Sequence, residues 1–404
     1  MLLHLALARL IRHGVLHVRY PDGSLRTYRG GPGPEAGFRI VTARAQRRLA
    51  LDPNLSFGED YMDGEIEPEG CTLYALVDLL ALNLEEGGTH PGEWLMAAWR
   101  TARRRIDQLN PAARARRNVA HHYDLNGRLY ALFLDRDLNY SCAYFRTGQE
   151  SLEEAQDAKK RHIAAKLLLD RPGLEVLDIG SGWGGMALTL ARDHGARVTG
   201  ITLSEEQLAV ARRRAAEAGL ADRVRFEAMD YRAWTRPVDR IVSVGMFEHV
   251  GIGHYRRVFE VVRDALRPDG VALIHAIGQP YGRSATNPWI AKYIFPGGYQ
   301  PALSEVLPAV EKAGLSVTDI EVLRLHYAQT LAQWRARFAG NRDAIESLYD
   351  ARFCRMFELY LVGSEIAFRR HRHFVWQMQI ARRQDAVPLT RDYVTAAEQE
   401  VARA

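Results

Sequence analysis

Leu174-Glu-Val-Leu-Asp-Ile-Gly-Ser-Gly-Trp-Gly-Gly185 is the stretch whose reading decides the fold. A β-type apolar run, Leu174 to Ile179, stops at glycines 180, 182, 184 and 185, and Met186-Ala-Leu-Thr-Leu-Ala191 continues as helix. Glycine tolerates positive φ and lets a ligand come close to the backbone, so strand, glycine loop and helix N-terminus together form a nucleotide-type cradle. The alternative is a tight turn with no ligand, and a lone Gly-x-Gly leaves that open. Asp178 before the loop and an ordered βαβ series after it favour the cradle.

The series reads outward from there. A second strand, Ala196 to Ile201, leads to Ser204 with Gln207 three positions on, a capping-box pattern. Short strands follow at Val224 to Phe226 and Val238 to Val244, and a fifth, Val271 to Ile277, follows the turn Pro268-Asp-Gly270. Ser316 to Leu323 and Phe374 to Ile380 supply two final strands. Strands alternating with helices predict a parallel sheet. A dinucleotide site wants an acid at the tip of the second strand. That tip reads Gly200-Ile201-Thr202, which fits S-adenosylmethionine better than NAD. Ligands in such sheets bind beyond the carboxyl ends of the strands. This logic brings Glu248, after the fourth strand, and His275, in the fifth, to the edge that carries the glycine loop.

Before the glycine loop, Val15 to Tyr20 and the turn Pro21-Asp-Gly23 predict a hairpin. Cys71 to Leu84 and Pro91 to Ile106 are helical, with Trp94 and Trp99 as core residues. Met1 to Leu10 is an amphipathic helix rather than a signal peptide. Arg100 to Arg117 holds seven arginines against Asp107 alone and reads as a basic linker. Glu153 to Leu169 is a helix. The 404 residues suggest two domains, and 47% hydrophobic with 25% charged residues is ordinary for a globular chain. A net charge of +5, carried mostly by arginine, suits phosphate-bearing partners. Three cysteines without metal-ligand spacing predict no metal site and a reducing compartment. No apolar run reaches the roughly 18 residues of a membrane span.

Five spaced motifs then resemble one family. Tyr140-Ser-Cys-Ala-Tyr-Phe145, Val176 to Gly185, Thr202-Leu-Ser-Glu-Glu-Gln207, Val238 to Gly251 and Pro288-Trp-Ile-Ala-Lys-Tyr-Ile-Phe-Pro-Gly-Gly298 are similar to the cyclopropane-fatty-acyl-phospholipid synthases, relatives of the mycolic acid cyclopropane synthases. His326-Tyr-Ala, Met356 to Leu361 and Phe57 to Gly64 extend the match. The resemblance implies an α/β fold with a Rossmann-like class I methyltransferase sheet, helical insertions and a smaller N-terminal α+β domain. The division is 1–115 for membrane docking or dimerisation and 116–404 for catalysis.

It further implies transfer of the S-adenosylmethionine methyl to a cis double bond of an unsaturated phospholipid acyl chain, giving a cyclopropane with bound bicarbonate as base. The anion's cradle would be Cys142, Glu248, His275, Ile277 through its backbone, and Tyr327. The cofactor residues would be Tyr140, Ser141, Asp178, Gly180, Gly182, Gly184, Thr202, Leu203, Gln207, Tyr231 and Arg232. Gln207 has a competing role as helix cap. Relatives commonly carry cysteine where this chain has Ser364, which leaves room for a methylene- or methyl-branched product. The family picture is a homodimer, cytoplasmic, peripheral on the anionic inner membrane and without nucleic acid. The rival of another class is an RNA-binding or RNA-methylating protein. Phe368 to Trp376, basic and aromatic, reads equally as a lipid-phosphate contact or a charged helix end.

Overall fold

A computed structural model describes residues 2–85, 127–280, 282 and 285–403. The expected boundary at 115/116, the arginine-rich linker, the helix Pro91 to Ile106 and residues Trp94 and Trp99 lie outside the described residues. Two compact units form. The first gathers the described residues of 1–106, 283–296 and 331–373, and the second those of 107–282, 297–330 and 374–404. The sequence reading assigned everything past 115 to one catalytic domain. The chain instead returns twice to the first unit.

In the first unit β1 (His13–Arg19), β2 (Leu25–Arg29), β3 (Gly31–Ile40) and β4 (Ile66–Pro68) make a sheet of order β2-β1-β3-β4. The expected hairpin joins β1 and β2 antiparallel, with Arg19 opposite Leu25, while β1 and β3 run parallel. Alternation buries Leu16 and Val18. They join Leu3 and Leu7 of the helix Leu2–Leu10, Phe38, Ile40, and Leu76 and Leu79 of the helix Leu73–Glu85 in one core. Leu2 and Leu5 stay exposed on the outer face of the first helix.

The returning segments are held by specific pairs. In the helix Pro288–Tyr293, the Trp289 indole donates to the Met62 sulfur at 3.2 Å, and Lys292 and the Tyr293 hydroxyl reach Glu59 Oε1 at 2.6 and 2.9 Å. In the helix Ala351–Arg370, Arg370 grips Asp78 through two bonds of 2.5 and 2.6 Å, and Glu358 accepts from Tyr61. Arg369 is on Glu365 at 2.9 Å. These arginines are taken up by carboxylates of their own unit, and Trp376 is buried in a strand. The helix end is thus charged and runs into core, with Arg372 left exposed. Cys354 is buried and Ser364 half-buried on the same helix.

The second unit is built on a seven-stranded sheet of order β10-β11-β9-β8-β5-β6-β7. The strands are β5 (Glu175–Ile179), β6 (Arg197–Thr202), β7 (Val224–Ala228), β8 (Val238–Val244), β9 (Leu266–Gly278), β10 (Ser316–Leu323) and β11 (Phe374–Ala381). From β7 to β9 neighbours run parallel; β11 is antiparallel to both β9 and β10. The turn read at Pro268-Asp-Gly270 lies inside β9. Two steps of β8, Val238 to Arg240, face Leu266 to Val271, so the turn survives as a wide bulge within the ladder. Apolar clusters fill both faces, one around Ile241, Phe247, Phe259 and Trp376, the other around Val176, Leu190, Val198 and Leu273. β5 and β8 are adjacent where strand order reverses, and the crevice beyond their carboxyl ends is the topological place for a ligand.

Candidate active site

The glycine loop begins where β5 ends. Gly180 and Ser181 amides both donate to Ile201 O at 2.9 and 3.0 Å, which pins the loop to β6. Gly182 has φ +54°, and a Cβ added there would meet nothing within 4 Å. Gly184 has φ +87°, and its Cβ would fall 2.8 Å from the Phe226 ring. One glycine therefore opens onto space and the other seals the loop against the sheet. Gly184 also caps the helix Gly185–His194, whose free amides favour an electronegative group.

Polar atoms around this loop lack partners. Asp178 Oδ2, Ser181 Oγ and the Trp183 indole nitrogen are buried without a hydrogen bond. Orphaned buried groups are rare unless a ligand or water completes them. The donor and acceptor set, the open space at Gly182 and the helix terminus fit the polar parts of S-adenosylmethionine.

Over the loop lies the segment 135–142. Asp135 accepts from the Asn139 amide at 2.8 Å, and Arg214 bridges Asp137 and Trp183 O. Tyr140 stands edge-on to Tyr130 at 5.3 Å, and Tyr130 packs on Trp183 at 5.7 Å. Lys159, from the helix Leu152–Lys166, is buried with Nζ on Ser141 Oγ at 2.9 Å and Asn139 Oδ1 at 3.2 Å. Its charge opposes the burial that lifts the Asp178 carboxyl to about 7, and burial in turn lowers the Lys159 ammonium to about 8.

After β6, Thr202 Oγ1 donates to Gln207 Oε1 at 3.1 Å, while Ser204 Oγ accepts from the Gln207 amide at 3.3 Å. Half of the expected capping box forms. The Gln207 side chain faces Thr202 and does not return to the cap, so it is not spent on the helix end. Leu203 beside them is half-buried. Tyr231 and Arg232 lie past β7, with Arg232 turned onto Asp230 by bonds of 2.8 and 2.5 Å.

The residues expected to hold the anion fall in two halves. Glu248, past the end of β8, accepts from the Ile277 amide at 2.7 Å through Oε1, while Oε2 is buried and unpartnered. Burial pushes this carboxyl up to about 7. His275 is 2% exposed, and burial with nearby cations holds its imidazole well below the usual value. In the other half Cys142 is buried, which raises its thiol far above the ordinary range. The next amide, Ala143, donates to Thr330 Oγ1 at 3.0 Å, one helical turn beyond the buried Tyr327. The buried Lys159 charge bears electrostatically on Cys142, Asp178 and His275 alike.

Lys159 and Gln377 were not singled out by sequence. Lys159 sits in an Ala-Lys-Lys-Arg-His run that reads as a solvated helix face. A signal existed in Gln377 and Gln379, which alternate with Trp376 and Met378 in an otherwise apolar strand.

Residues 111–378 match the family described as mycolic acid cyclopropane synthetase, and residues 4–86 match a domain of unknown function, DUF7884. A tuberculostearic acid methyltransferase of Mycobacterium tuberculosis is 36% identical over 392 residues, covering 93% of this chain and 90% of that protein. The cyclopropane-fatty-acyl-phospholipid synthase of Escherichia coli is 37% identical over 347 residues, covering 86% and 88%. The structure of a mycolic acid cyclopropane synthase complexed with SAH and CTAB aligns with TM-score 0.63 at 33% identity, covering 68% of this chain and 99% of that one.

Proposed function

Because the chain belongs to the mycolic acid cyclopropane synthetase family, an S-adenosylmethionine-dependent C-methyltransferase class acting on lipids, we propose that it methylates a cis double bond of an unsaturated phospholipid acyl chain and closes a cyclopropane ring. S-adenosylmethionine supplies an electrophilic methyl on a sulfonium. Gly182 gives it backbone access, with Asp178, Ser181, Thr202 and Gln207 as polar partners. A bound bicarbonate supplies the proton acceptor.

The observation that carries this reading is Glu248. One carboxylate oxygen is fixed on the Ile277 amide, two residues along β9 from His275, and the other is buried without a partner. A carboxyl group so placed accepts from the hydroxyl of a small oxyanion and orients it. His275, Cys142 and the Tyr327 hydroxyl complete the cradle, while the Ile277 amide, expected to donate to the anion, instead holds Glu248. Burial of Cys142, Glu248 and His275 keeps water from the electron-poor carbon that follows methyl transfer. Loss of a proton from the new methyl then closes the ring and adds CH₂ overall.

A second reading has its own support. The tuberculostearic acid methyltransferase aligns over more of this chain than the cyclopropane synthase does. A 1,2-hydride shift onto the cationic carbon, followed by loss of a proton from the new methyl, leaves a methylene branch, and a saturated methyl branch needs a hydride from a further reductant. Labelled cofactor with mixed unsaturated phospholipid vesicles, followed by mass spectrometry and derivatisation of residual double bonds, separates ring from branch. Bicarbonate-depleted buffer tests the base. Unlabelled lipid in every mixture would reject the substrate class. Among the described residues no helix is long and apolar enough to cross a membrane. The proposal places the protein in the cytoplasm, peripheral to an anionic membrane and as a homodimer.

A further inference from the structure

A row of polar side chains crosses three strands of the second unit. Glu321 of β10 is the register partner of Gln377 in β11, and Gln377 is the register partner of His275 in β9. Paired residues on neighbouring strands project to the same side, so the three lie in one line. Lys166 and His162 of the helix Leu152–Lys166 meet this line. Lys166 Nζ donates to Gln377 Oε1 at 2.9 Å and also contacts Glu321 Oε2. His162 spans Glu321 and Glu398 at 2.6 and 2.7 Å. Gln377 Nε2 lies 3.3 Å from His275 Nδ1.

The chemistry of the donors fixes the direction of both Gln377 bonds. An ammonium has three hydrogens and no acceptor, so the Gln377 atom facing Lys166 is the carbonyl oxygen. The amide nitrogen, a donor only, then faces His275. A neutral imidazole carries one hydrogen, and a donor pointed at Nδ1 requires a bare lone pair there. We propose that Gln377, held by Lys166, which Glu321 anchors, is a positioning residue that locks His275 in the Nε2–H tautomer and so makes it a donor toward the oxyanion held by Glu248. This inference rests on the anion reading above and adds the device that gives the cradle its polarity. With the opposite tautomer, a lone pair would face the anion and repel it. Burial that disfavours the imidazolium agrees with a neutral ring.

The test is a long-range ¹H–¹⁵N correlation on the full chain labelled at histidine nitrogens, with His275 assigned by its loss in H275Q. The wild-type ring is expected to show a bare Nδ1 and a protonated Nε2. A hydrogen on Nδ1 would overturn the proposal outright. Q377E presents an acceptor to Nδ1 and is expected to reverse the tautomer. It should raise the half-saturating bicarbonate concentration roughly 10- to 100-fold, the loss of one charge-assisted bond, with S-adenosylhomocysteine affinity unchanged. A Q377E ring like the wild type would also overturn it. Should Q377E not fold, the wild-type spectrum decides alone. Bicarbonate added to wild type is expected to move the Nε2 signal; a locked tautomer whose signal does not move would defeat the anion reading and leave the clamp standing.

Discussion

Replacing Gly182 by alanine separates ligand space from mere backbone geometry. The position has φ +54°, and the added methyl meets no protein atom within 4 Å. A left-handed conformation costs an L-residue about 1–2 kcal/mol, which at roughly 2–4 °C per kcal/mol for a domain of this size lowers Tm by roughly 2–8 °C. Gly184→Ala is the control. It has the same backbone cost, and its Cβ falls 2.8 Å from the Phe226 ring and 3.1 Å from the Ala211 methyl. Overpacking adds about 1–3 kcal/mol, for a total drop of roughly 4–20 °C. Cofactor affinity should order the other way. G182A puts a methyl where the cofactor must approach and is expected to weaken S-adenosylhomocysteine binding by roughly 10- to 100-fold. G184A, where it folds, should lose less. Thermal denaturation and calorimetric titration read the two quantities independently. A G182A protein that binds with wild-type affinity would refute the assignment of that space.

Glu248→Gln tests the carboxyl through pH. Its folded value is raised to about 7 from 4.5, so its contribution to stability is full below 4.5 and is lost as pH rises to about 7. The loss is roughly 3 kcal/mol; E248Q should flatten the stability–pH curve between those limits and exceed wild type at pH 8, while activity falls roughly 10- to 100-fold. A curve unchanged by E248Q would show that this group is not the one titrating. Lys159→Met leaves Asp178 without its nearest cation, and is expected to destabilise by about 3 kcal/mol at pH 8. That deficit should shrink at pH 5, where Asp178 is protonated, because its carboxyl is lifted to about 7. An equal deficit at both pH values points to lost packing instead.

Much of this was readable in the chain because strands and glycine loops are written locally. Val238–Val244 and Ser316–Leu323 were placed residue for residue, and the loop after Ile179 announced itself by its glycines. The resemblance named Glu248 and Ile277 together, and the two meet at 2.7 Å through the Ile277 amide. What escaped was whatever depends on a partner far along the chain. Lys159 and Lys160 look solvated in sequence, yet each is 1% exposed, because the Asn139 amide and Ser141 hydroxyl meet the first and the Asp137 and Asp157 carboxylates the second. Gln377 looks like an ordinary strand residue until register sets it beside His275. The tie between Glu59 and Lys292 spans 233 positions, and no periodicity encodes it.

The double return of the chain to its first unit has a consequence for dissection. Cutting at residue 115 would not release a finished catalytic piece. Arg370 would lose Asp78, Glu358 would lose Tyr61, and Lys292, Tyr293 and Trp289 would lose Glu59 and Met62. Such a fragment would carry a raw seam of stranded charges and bared aromatics, prone to self-association. A catalytic piece cut there would need that seam rebuilt side chain by side chain before it could stand alone.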